Sequence, residues 1–129
     1  MDLERALDAL ERAHKRSVTT PQSEQAAYVR EVLGSRLAAA ALGLKDTRTL
    51  SSWAAGGPIR GLDSLHRLQV LFRVVSGLED VFSPAVAVAF LRGSNPTLGG
   101  QSPLFVLANE PPATVEQKLV SAAESLLSA

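Results

Sequence analysis

Apolar residues recur every three or four positions along most of the chain, the repeat of a helix with one buried face. No stretch sustains a period of two, so the pattern predicts an all-α fold. Leu3, Ala6, Leu7, Leu10 and Ala13 mark a first helix, with acids early and Arg12, Lys15 and Arg16 late, as a helix dipole favours. The segment Ser-Val-Thr-Thr-Pro breaks it. Residues 1–20 therefore read as an N-terminal amphipathic helix that either packs on its own domain or serves as an arm or dimerisation element. Pro21 suits the start of a second helix, which Ala27, Val29, Val32 and Leu33 continue until Gly34. Ser35 is a candidate cap for a helix over 36–42, and Gly43 falls just past its end, where positive φ costs little. Asp46 is a candidate cap for a helix over 47–55, closed by Gly56, Gly57 and Pro58.

A longer helix is predicted over 63–76, with Leu65, Leu68, Leu71, Phe72 and Val75 on one face and Gly77 at its end. Ser83-Pro84 and Ser102-Pro103 each join a capping serine to a first-turn proline. They open one helix that runs to Leu91 and a shorter one through Leu-Phe-Val-Leu-Ala-Asn. Thr114 with Gln117 three residues on reads as a capping box for a final helix over 115–128.

Composition refines this picture. A chain of 129 residues is one domain, or two very small ones sharing a core. The absence of cysteine removes disulfides, thiolate metal sites and cysteine nucleophiles together, and fits a reducing compartment. The first residues are acidic with no apolar block behind them, and nowhere do about eighteen apolar residues run together. Neither a secretory signal nor a membrane span is expected, and the expected location is the cytoplasm. The net charge of zero hides a division: residues 21–76 carry seven basic and four acidic side chains, residues 77–129 two basic and five acidic. A basic middle and an acidic end point to two surfaces for two kinds of partner.

His14 and His66 lie far apart on helices, without acids or cysteines at ligand spacing, so surface or packing duty is the expected role of each. The stretch RGSNPTLGGQSP lacks the Lys-Ser ending of a phosphate loop and follows no strand, so it reads as a turn between helices. No enzyme, metal or cofactor is expected. Ala39 followed four residues later by Gly43 is the helix-turn-helix pattern: the small residue lets two helices cross closely and the glycine makes the turn. Leu50 and Trp53 then face inward, leaving Thr47, Arg48, Thr49, Ser51 and Ser52 outward, short or basic donors able to reach phosphates and base edges. Lys45 in the turn and Arg60 beyond the helix are candidate phosphate anchors. The interval from Gly43 to Leu50 is one residue longer than the commonest spacing, which defines the outward face only to within a residue.

The stretch AVAVAFLRGSNPTLGGQSPLFVLA, residues 85–108, resembles the toxin-binding signature of the Xre/MbcA/ParS family of antitoxins. The elements of that signature fall here on Phe90-Leu91, Asn95-Pro96, the Leu98-Gly99-Gly100 turn, and Ser102-Pro103-Leu104 opening the next helix, with Leu107 following. An Xre-like helix-turn-helix precedes it in the family as it does here, so the resemblance covers residues 21–129. Phe90 stands where many members have tryptophan, and Gln101 where many have a basic residue.

The resemblance implies a two-part protein. A helix-turn-helix domain over 21–78 would bind operator DNA, and a domain over 79–129 would bind a RES-domain toxin that consumes NAD, blocking its entrance without doing chemistry. It further implies that the C-terminal end docks at the toxin pocket through Leu126, Leu127 and Ala129, alongside the signature residues; the residues by themselves equally allow Leu126 and Leu127 simply to cover the core. An acidic C-terminal half would suit a pocket built for a dinucleotide's diphosphate. The expected assemblies are a homodimer and a hetero-oligomer with toxin, because one recognition helix with a single arginine is weakly charged for DNA. Two copies on half-sites roughly 34–36 Å apart would double the phosphate contacts. Two other readings compete: a stand-alone transcriptional regulator with a dimerising C-terminal domain, and a helical adaptor without DNA contact.

Overall fold

Between Leu68 and Leu78 every residue except Gln69 and Arg73 is buried, and the computed structural model places this run inside one long helix. The structure describes residues 3–129, and all the elements are helical: α1 (Leu3–Thr19), α2 (Gln22–Leu33), α3 (Ser35–Ala41), α4 (Thr47–Ala54), α5 (Leu62–Val81), α6 (Pro84–Arg92), a 3₁₀ turn (Pro96–Leu98), α7 (Pro103–Asn109) and α8 (Pro112–Ser128). Met1 and Asp2, which open the expected first helix, lie outside the described residues, as does the side chain of Leu3. No described helix is long and apolar enough to cross a membrane.

Helix α5 is the axis of the fold, in contact with α1, α2, α6 and α8. It runs past Gly77, the expected terminator, because that glycine keeps a negative φ and lies buried where α1 crosses. Gly77 is buried, has no positive φ, and a Cβ added to it would stand 3.4 Å from Ala13 Cβ and 3.5 Å from Leu10 Cδ2. On α1, Ala6, Ala9, Leu10 and Ala13 are buried, and their small size lets that helix settle on α5 and α8. Leu7, expected on the same face, is about half exposed. Arg12 closes the contact with an ion pair to Asp80 at 2.9 Å, and Arg16 donates to the Ser76 carbonyl at 3.1 Å. Gln25, buried in α2, fixes the α1–α2 corner by donating through Nε2 to the Ser17 and Thr20 carbonyls at 2.9 and 3.0 Å. Buried residues from all eight α-helices join one connected core.

Helix ends follow the sequence in part. Helix α3 closes in a Schellman motif, with Leu44 N–H on the Ala39 carbonyl at 2.9 Å and Gly43 N–H on the Ala40 carbonyl at 3.1 Å; Gly43 takes the positive φ of 71° this needs. Ser102 caps α7 by accepting from Phe105 N–H at 3.1 Å. Ser83 precedes α6 without a side-chain cap bond, and Ser35 is already the first residue of α3, with Gly34 before it. The Thr114 capping box does not form: α8 begins earlier, at Pro112 after Pro111, because consecutive prolines preset the helical entry.

The Gly77 contact yields a two-sided expectation. Gly77→Ala should be neutral or stabilising by up to about 1 kcal/mol, since its Cβ meets ordinary van der Waals neighbours and alanine favours helix. Gly77→Leu should cost about 1–3 kcal/mol, as overpacking does. Urea unfolding of both variants measures the pair; equal effects would place α1 farther from α5 than described here.

Candidate functional site

Successive residues of an α-helix are about 100° apart, so burying Leu50 and Trp53 of α4 turns Arg48, Ser51 and Ser52 directly outward. Thr47 and Thr49 flank them. Burial agrees with the geometry: Leu50 and Trp53 are buried, Thr47 is half-buried, and Arg48, Thr49, Ser51 and Ser52 are exposed. The extra turn residue is absorbed between Gly43 and Asp46, so the helix keeps its expected face. Asp46 accepts from Arg48 N–H at 3.0 Å and Thr49 N–H at 3.3 Å, satisfying two orphan amides at the start of α4. Those bonds, that from Thr49 foremost, and the Arg48 side chain hold the Asp46 carboxyl below its ordinary value of 3.8. Arg48 meets Asp46 through one contact at 3.3 Å yet leaves 91% of its side chain exposed, so it remains free to swing outward.

A shallow depression between α4 and the start of α5 gathers four of the seven expected DNA contacts: Arg48, Thr49, Ser52 and Arg60. Leu44, Trp53, Pro58 and Ser64 complete it, and none of them is a contact the pattern of the chain singled out. Two guanidiniums and three hydroxyls around one hollow are donors suited to phosphate oxygens. Lys45 is exposed on the turn before α4, outside the depression, as are Thr47 and Ser51. Gly56, with a positive φ of 97°, explains why the helix stops here. Gly56 N–H bonds the Trp53 carbonyl at 3.0 Å and Gly57 N–H the Ser52 carbonyl at 2.7 Å, a second Schellman end that turns the chain toward Arg60.

The second set of expected contacts divides by depth. Phe90, Asn95, Pro96 and Leu126 line one apolar groove, with Val86 and Ala89 of α6 forming its wall. Leu91, Leu98, Pro103 and Leu127 are buried and do not line it, Leu91 and Leu127 completely so. Gly99, Gly100 and Ala129 are exposed, and Ser102 and Leu104 half-buried, all outside the groove. The loop beside the groove is closed on itself. Asn95 Oδ1 accepts from Thr97 N–H at 3.0 Å, Asn95 N–H donates to the Gln101 carbonyl at 3.1 Å, and Ser94 Oγ donates to the Gly100 carbonyl at 2.7 Å. Gly99 and Gly100 supply the two positive φ values, 66° and 88°, that let it close. Phe105 is the residue the sequence reading missed: it sits on α7 with half its surface exposed, between buried Pro103 and buried Val106 and Leu107. Its place one position before that buried pair on a short helix was the available signal.

Elsewhere the polar chemistry is internal. His66 Nε2 lies 3.2 Å from Glu116 Oε2, a partner brought from α8, while His14 is exposed. Among the described residues no group of three His, Cys, Asp or Glu is placed to hold a metal. Tyr28 donates to Glu79 at 2.9 Å and packs edge-on against Phe72; burial, then the Glu79 contact, pushes its hydroxyl pKa upward. Asp80 pairs with Arg12, and Glu110 with Lys118 at 2.7 Å. Four of the five acids behind the negative C-terminal half are therefore engaged within the chain, and the groove itself is apolar. Compared with family models, curated proteins and solved structures, the chain matches none.

Because folding lowers the Asp46 pKa, its capping contribution is complete above the ordinary value of 3.8 and is lost as pH falls through the lower native value. Asp46→Asn keeps an accepting oxygen for the cap but cannot titrate. Urea midpoints measured from pH 5 downward, a range set by the ordinary carboxylate value, should fall less steeply for Asp46→Asn than for the parent; parallel curves would remove Asp46 from the acid response.

Proposed function

We propose that the chain is a DNA-binding antitoxin: α3 and α4 form a helix-turn-helix that lays α4 in the major groove of operator DNA, and the groove between α6 and α8 receives a RES-domain toxin. The observation that supports the DNA half most strongly is the sidedness of α4, whose buried Leu50–Trp53 face leaves Arg48 and the hydroxyls of Ser51 and Ser52 outward beside Arg60. Exposed Arg36, Lys45, Arg48 and Arg60 on this half of the chain are matched by exposed Glu24, Glu31, Asp46 and Asp63, so the support comes from the placement of the donors on α4 and beside it and not from an excess of charge. The toxin half draws on the antitoxin resemblance of residues 85–108 and on the convergence of Phe90, Asn95, Pro96 and Leu126 in one groove. Electrostatic attraction to a basic pocket is not what carries the toxin half, since no acid lines the groove. That same lack of charge favours a second reading, a regulator whose apolar groove pairs two copies, with identical DNA chemistry.

Two expectations test this. Selection from a randomised duplex library should return a preferred sequence, and Arg48→Ala should weaken binding to it by about 1–3 kcal/mol while relaxing preference at one base pair. Unchanged affinity in a gel-shift titration would shift the reading side chain to Ser51 or Ser52. Co-expression with a neighbouring RES-domain toxin should preserve growth and NAD level, and Leu126→Lys should abolish that protection with duplex binding intact. Truncation of the last four residues is a poorer test, because it removes fully buried Leu127 as well. Full protection by Leu126→Lys would leave the groove to the second reading.

A further inference from the structure

The turn of the helix-turn-helix is braced by residues from the far end of the chain. A Cβ on Gly43 would stand 3.2 Å from the Ala108 carbonyl oxygen, so the turn lies directly on the last turn of α7, and α3 is in contact with α7. That end of α7 is held in turn by α5. Arg67 Nε donates to the Leu107 carbonyl at 2.8 Å, and Arg67 Nη2 donates to the Glu110 carbonyl at 3.0 Å. A half-buried guanidinium at a helix C-terminus answers carbonyls that α7 cannot satisfy itself, with the dipole in its favour. The other end of α7 is fixed by the Ser102 cap and the closed loop over 94–101. Helix α7 is thus a short strut, tied at both ends, pressing on Gly43.

We propose that Arg67 is a positioning residue for DNA binding, clamping α7 against the Gly43 turn and so fixing the angle at which α4 leaves α3. This rests on α4 being the DNA-reading helix. Arg67 belongs to the basic middle of the chain, yet two of its donors are committed to α7 carbonyls, so it acts through the turn and not on a phosphate. A direct consequence is that the DNA-binding unit does not end near residue 78, since its turn is shaped by residues 103–110.

The test uses the full chain with Arg67→Met, which keeps the aliphatic stem and removes the donors, and Arg67→Lys, which keeps one charged donor. Amide exchange at Gly43 and Leu44 should quicken in Arg67→Met, with α1 and α8 unaffected. Affinity for the selected duplex should fall about 5- to 30-fold, the factor by which a modest free-energy change shifts an equilibrium. Arg67→Lys should recover part of both. The slope of log affinity against log salt should stay unchanged, because no phosphate contact is lost. Unchanged exchange at Gly43, unchanged affinity, or exchange that rises equally across α1 and α8 would each overturn the positioning role. A slope reduced by about 0.9 would overturn it too, by making Arg67 a phosphate contact. If the parent protein binds no duplex, the DNA reading fails by itself, and the exchange comparison still decides whether α7 braces the turn.

Discussion

Apolar side chains cover more than half the circumference of α5 between Leu68 and Leu78, and that broad burial dictates the arrangement of the other helices. Leu68, Val70, Leu71, Phe72, Val74, Val75 and Leu78 spread over roughly 200° of the helix surface, with buried Ser76 and Gly77 beyond them, so no single partner could cover them. Each fully buried side chain of this size contributes about 1.5–3 kcal/mol relative to exposure, and α1, α2, α6 and α8 are recruited to supply that cover. The recruitment has a steric condition. Where α1 crosses, the alanines of α1 and Gly77 of α5 remove the bulk that would hold the helices apart. A boundary at residue 78 would cut through α5, so the basic and the apolar surfaces are faces of one shared core.

The two candidate surfaces differ in how they are built. The α4 face is a set of outward side chains on a helix closed by Asp46 at one end and Gly56–Gly57 at the other, so its donors are held by short-range geometry. The groove instead needs three separate stretches to meet: α6, the closed loop over 94–101, and the last turns of α8. Asn95, Gly99 and Gly100 serve that loop from within, through hydrogen bonds and positive φ. Helix α7 connects the two regions physically, leaving the loop at Ser102 and ending on Arg67 and the Gly43 turn.

Much of this was legible in the residues. Periodicity gave the helices, and local devices gave Gly43, Asp46 and Ser102 their places, because each acts within four residues of itself. The sidedness of α4 was legible for the same reason: Leu50 and Trp53 were the only large apolar residues available to bury. What depends on distant packing was not. Gly77 reads locally as a terminator, yet it serves a helix crossing with α1, sixty-odd residues earlier in the chain. Leu126 and Leu127 are chemically alike and adjacent, and only the third dimension sends one to the groove and the other into the core. Counting charges likewise says nothing of pairing: Tyr28, Arg12, His66 and Lys118 reach those acids from other elements or from farther along the chain.

The central claim is that the outward face of α4 binds duplex DNA, and backbone amide shifts of the isotopically labelled full chain, titrated with a selected duplex, test it most directly. The account predicts that the largest changes fall on residues 45–52 and on Arg60, that they weaken steeply with added salt, and that residues lining the α6–α8 groove are little affected. Changes concentrated on the groove, or none on α4 at saturating duplex, would contradict it.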